Sequence, residues 1–96
     1  MSAYKEIFEI ILTKLNAETL LRKKRSVETW ILKERTCVQR EVNRLRTILE
    51  RPPISLADVE RAERLALGHS DYVRKYAHAA AELVLAEKPW EVVEGP

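Results

Sequence analysis

The sequence predicts an all-α protein, a small antiparallel helical bundle with a long N-terminal helical arm and a C-terminal helical hairpin. Three observations predict it. Apolar residues recur at steps of three and four, as on one face of a helix. The two Gly and four Pro stand at a few places only and divide the chain into long uninterrupted stretches. Val, Ile and the aromatic residues are scattered and make no alternating runs that would seed strands. Ninety-six residues suffice for a single domain, 1–96, with a thin core.

The arm covers residues 3–50, where no Gly or Pro occurs. Tyr4, Ile7, Phe8, Ile11 and Leu15 form its first apolar face. The face thins around Arg22-Lys23-Lys24-Arg25 and returns at Val27, Ile31, Val38, Val42, Leu45 and Leu49, with Arg35 filling the one gap in the 4-3 alternation. A straight helix over the whole arm would be about 72 Å long, too long for a lone small domain to cover. Either the chain bends near residues 22–27, with Ser26 as N-cap, or two copies pack along the rod; the bend is the favoured reading.

Pro52-Pro53 ends the arm, because neither ring nitrogen can donate a helical hydrogen bond. The hairpin spans 55–87. Ser55 and Asp58 have the spacing of a variant capping box, and Gly68 supplies a left-handed residue that closes the first helix. Ser70 or Asp71 caps the second, which stops before Pro89. That helix carries Ala77, Ala79, Ala80 and Ala81, small side chains that let another helix approach closely. In the tail, 88–96, Trp90 is expected to fold back onto the core, with a free hook for a partner as the alternative. The expected core is Phe8, Ile11, Leu15, Ile31, Val38, Val42, Leu45, Leu49, Val59, Val73, Ala77, Ala80 and Val84.

The net charge of +2 conceals an asymmetry. Residues 1–51 carry twelve Lys/Arg against seven Asp/Glu, and residues 52–96 carry five against eight. Such halves, +5 and −3, fit solvated helix surfaces that simply differ in composition; the alternative is that they align two copies head to tail or offer a basic face to an acidic partner. The single cysteine, Cys37, rules out an internal disulfide framework, and the longest N-terminal apolar run is only Ile10-Ile11-Leu12. A cytoplasmic protein without a membrane association is the expectation.

Chemistry is sparse. His78 and Glu82 sit four apart on one helix, yet a third metal ligand has no source nearby in sequence. Cys37 would be a nucleophile only with His69 or His78 in reach. Two glycines cannot build a phosphate-cradling loop. No catalytic residue, metal or cofactor is expected.

Binding remains. The expected function is a non-catalytic protein–protein interaction module, self-associating as a homodimer through residues 27–50 and acting as an adaptor or inhibitor of a larger partner. Trp30 and Ile48, which lie off the main apolar face, and Trp90 in the tail are the candidate contacts. The alternative is a nucleic-acid-binding protein that uses Arg22, Lys23, Lys24, Arg25, Lys33, Arg40 and Arg44, although Glu28, Glu34 and Glu41 interrupt that stretch. A helix-turn-helix in 55–87 is the weaker form of it, since residues 52–96 have the wrong net sign for phosphate.

Overall fold

A computed structural model describes residues 3–92; Met1, Ser2 and 93–96 lie outside the described residues. The helices are α1 (Ala3–Leu20), α2 (Val27–Ile48), α3 (Leu56–Ala66), α4 (Tyr72–Leu85) and a single turn, α5 (Pro89–Val92). The arm bends where its apolar face thins. Leu21 leads into a 3-10 turn at Arg22–Lys24, and Arg25 is extended. Ser26 then caps α2, its hydroxyl oxygen accepting from the Thr29 amide.

The first four helices run up-down-up-down. Tyr4 meets His78 and Arg22 meets Tyr72, so α1 and α4 are antiparallel. Arg35 meets Glu63 and Asn43 clasps Ile54, which makes α2 and α3 antiparallel. The molecule measures 36 × 25 × 23 Å.

The alanine-rich α4 lies at the centre. Tyr76, Ala77, Ala79, Ala80, Ala81, Leu83 and Val84 are all buried, so α1, α2 and α3 pack round three sides of it. A helix enclosed on most of its circumference needs a thin profile, and alanine supplies one. Phe8, Ile11, Leu15, Val38, Val42, Leu45 and Val59 complete the core with Ile7, Ile54, Ala62 and Ala66.

Two corners are set by local chemistry. Ser55 and Asp58 form the reciprocal capping box of α3. Gly68, at φ +84°, turns the chain from α3 to α4. Asp71 occupies the N-cap position of α4 but makes no side-chain cap bond.

Three expectations are corrected. Leu49 is 43% exposed and not in the core, because α2 ends at Ile48 and the chain reverses through Glu50 at φ +59°. Ile31 and Val73 are only half-buried. Trp90 does not fold back and is 55% exposed; Pro89 fills the place against α4 instead, and the next side chain in the turn faces water.

Candidate functional sites: a polar clamp, an apolar end and a basic groove

The chain brings its unusual residues together in three places. The first is a clamp at the bend. Glu34 is fully buried, and its carboxylate accepts from Arg22 Nε at 2.7 Å and Nη2 at 2.9 Å. The same guanidinium lies 4.3 Å from the Trp30 ring centre and 5.2 Å from that of Tyr72. One arginine thus ties the bend to α2 and α4. Nearby, Arg35 pairs with Glu63 of α3, Nη2 to Oε1 at 2.8 Å. This accounts for a cation at an apolar heptad position. Burial, then the neighbouring Glu63 and Glu34 carboxylates, pushes the Tyr72 hydroxyl well above the usual tyrosine range. Tyr76 is raised in the same direction by burial, then Glu63 and Tyr72.

The second place is the opposite end, where α2 finishes beside the end of α4. Arg46 is buried. Its Nη1 donates to the carbonyls of Leu83 and Ala86, both at 2.7 Å, and its Nε to that of Pro52 at 2.6 Å. Arg51 donates to the Leu85 carbonyl. These donors satisfy the carbonyls that every helix leaves orphaned at its C-terminus. At this end Ile48 is 65% exposed and Leu49 and Trp90 are also open to water, beside the exposed Glu50, Glu87, Lys88 and Glu91.

The third place is a groove of about 410 Å³ between α1 and α2, lined by Lys14, Glu18, Arg25, Leu32, Lys33, Thr36, Cys37, Arg40 and Glu41. Arg25 pairs with Glu18 at 2.7 Å and Arg44 with Glu41, Nε to Oε1 at 3.1 Å. Lys14, Lys33 and Arg40 make no ion pair among the described residues. Cys37 lies half-buried in the groove wall. Burial, then Glu18 and Glu41, holds its thiol above the ordinary cysteine value and therefore in the unreactive protonated form.

Of the residues singled out from sequence, Ile48 and Trp90 stand at one end, while Trp30 is at the other, half-covered by Arg22. The basic stretch is divided. Arg22 and Arg25 face inward to Glu34 and Glu18; Lys23, Lys24, Lys33 and Arg40 stay exposed, and Arg44 is exposed beside Glu41. Helix α4, the recognition helix of a helix-turn-helix reading, is too enclosed to enter a DNA groove. His78 is also occupied. Tyr4 Oη lies 2.6 Å from its Nδ1, and the Phe8 ring stacks on the imidazole at 4.0 Å. Neither His78 nor His69 lines the groove that holds Cys37. Among the described residues no three His, Cys, Asp or Glu side chains are placed to hold a metal, and no helix is long and apolar enough to cross a membrane.

Sequence reasoning missed Arg46, which reads as one more surface cation. Its signal is position: with Val38, Val42 and Leu45 it belongs to the apolar side of α2. Comparison of the chain with protein families, curated proteins and solved structures finds no match.

Proposed function

We propose that the chain is a non-catalytic protein–protein interaction module that associates with itself and acts as an adaptor or inhibitor of a larger partner. The observation that carries this reading is the apolar end. Ile48, Leu49 and Trp90 stay in water at one end; among the exposed large apolar side chains of the described residues, which include Leu20, Val27, Leu32, Leu65 and Leu67, Trp90 is the one aromatic. Exposed apolar groups gathered on a soluble domain mark contact surfaces, and a tryptophan among them is the side chain most often found at an energetic centre. A reducing, cytoplasmic setting suits the free thiol of Cys37.

The nucleic-acid reading rests on Lys23, Lys24, Lys33, Arg40 and Arg44, which remain exposed. It is the weaker one, because Arg22 and Arg25 are committed to glutamates and Glu41 sits within the remaining basic row. Sedimentation velocity over a wide concentration range tests the proposal. The wild-type chain should form a dimer whose share rises with concentration. A wild-type chain that stays monomeric at every concentration while binding duplex DNA or RNA with a steep salt dependence would replace this reading by the other.

A further inference from the structure

The apolar end and the basic groove are complementary in both charge and chemistry. On one side, Glu87, Trp90 and Glu91 are all exposed, and Lys88, 3.9 Å from Glu91, leaves the segment 87–92 at net −1. On the other, Leu32, which is 56% exposed, and Cys37 give the groove apolar wall, and Lys14, Lys33 and Arg40 stand around it unpaired. The same match runs through the whole chain, +5 before residue 52 and −3 after it.

We propose that the exposed face of the segment Glu87–Val92, formed by Glu87, Trp90 and Glu91, seats in the α1–α2 groove of a second copy, with Trp90 against Leu32 and Cys37 and the two glutamates facing Lys14, Lys33 and Arg40. This rests on the self-association reading and names the surfaces that carry it. A chain does not fill its own groove. Pro89 is buried against α4, which keeps Trp90 at the end where Arg46 and Arg51 cap that helix. The groove lies towards the other end, and Cys37 is separated from Ile48 by roughly 16 Å along the α2 axis. Exchange about a two-fold axis gives two identical contacts and closes the dimer. Nucleic acid is the poorer occupant, since Glu18 and Glu41 line the groove and a phosphate backbone has no use for its apolar wall.

The test is charge reversal with mixing, on the full chain, read by sedimentation equilibrium, with far-UV circular dichroism verifying that each variant is folded. Trp90→Ala should weaken self-association at least tenfold, as expected of an aromatic anchor. A groove variant, Lys33→Glu with Arg40→Glu, and a tail variant, Glu87→Lys with Glu91→Lys, should each lose roughly tenfold. Mixed together, the two variants should associate as well as wild type, because each then meets its opposite charge at both contacts. Association that ignores all three changes overturns this docking and leaves the self-association reading standing. Loss in the single variants without recovery on mixing overturns the pairing of tail with groove. A strictly monomeric wild type removes both readings together.

Discussion

Tyr76 shows how closely the interior is fitted and where it is imperfect. Its ring fills the core beside α4's alanines, yet its hydroxyl is buried with no hydrogen-bond partner among the described residues. A buried polar group without a partner costs more than the group is worth. Tyr76→Phe should therefore raise stability by about 1 kcal/mol, measured as a shift of the urea midpoint at neutral pH. A lower midpoint would mean that the hydroxyl has a bonding partner. The same group couples folding to alkaline pH. Its folded pKa, like that of Tyr72, lies above the ordinary value of 10.0, so the native state keeps a proton that the unfolded chain releases. Stability is then full below pH 10 and declines as pH rises beyond it. In the double variant Tyr72→Phe/Tyr76→Phe that decline should be shallower. At this scale the sequence is least legible. Nothing local distinguishes Arg22, clamped on buried Glu34, from Lys23 beside it in water. The difference arises only once α1, α2 and α4 are brought together.

Among the elements, α4 depends most on its surroundings. It has neither a side-chain cap at its N-terminus nor a basic residue in its last turn. Its C-terminal carbonyls are met instead by Arg46 and Arg51 from across the bundle. Arg46→Ala should cost about 3 kcal/mol or more in chemical denaturation, because it removes several bonds and leaves carbonyls and a void behind. Arg46→Lys should recover little of this, since one ammonium cannot span the positions that the guanidinium fork reaches. Ala80→Leu should be destabilising by about 1–3 kcal/mol, since the helix is enclosed by its neighbours there. Element boundaries are where the sequence is most legible. The bend at the basic run, Ser26, the Ser55–Asp58 box and Gly68 all lie where local chemistry alone places them. Leu49 misleads because the heptad pattern extends on paper past Ile48, where α2 ends before Glu50 turns the chain.

For the molecule as a whole, the bundle class was legible from periodicity, and the central place of α4 was half-legible from its alanines. The candidate site was legible only in part. Ile48 stands out as an apolar residue off the main face, whereas the exposure of Trp90 in the tail runs against its expected burial, and a groove between α1 and α2 depends on how two helices diverge, which no local pattern records. Charge distribution adds an expectation of its own. If unlike charges draw two copies together, raising salt from 50 to 500 mM should weaken the dimer several-fold without dissolving it, since the apolar part of the contact is not screened. Sedimentation at the two ionic strengths reads this directly, and indifference to salt would mean that the basic rim takes no part.

The two tryptophans report on different places. Trp30 lies beneath the Arg22 guanidinium near the bend, whereas Trp90 is open to water at the far end. Iodide or acrylamide should therefore quench the indole at 90 far more readily than its counterpart at 30. With Trp30→Phe and Trp90→Phe variants, fluorescence becomes a two-channel instrument. One channel follows the opening of the polar clamp, and the other follows whatever comes to cover the tail.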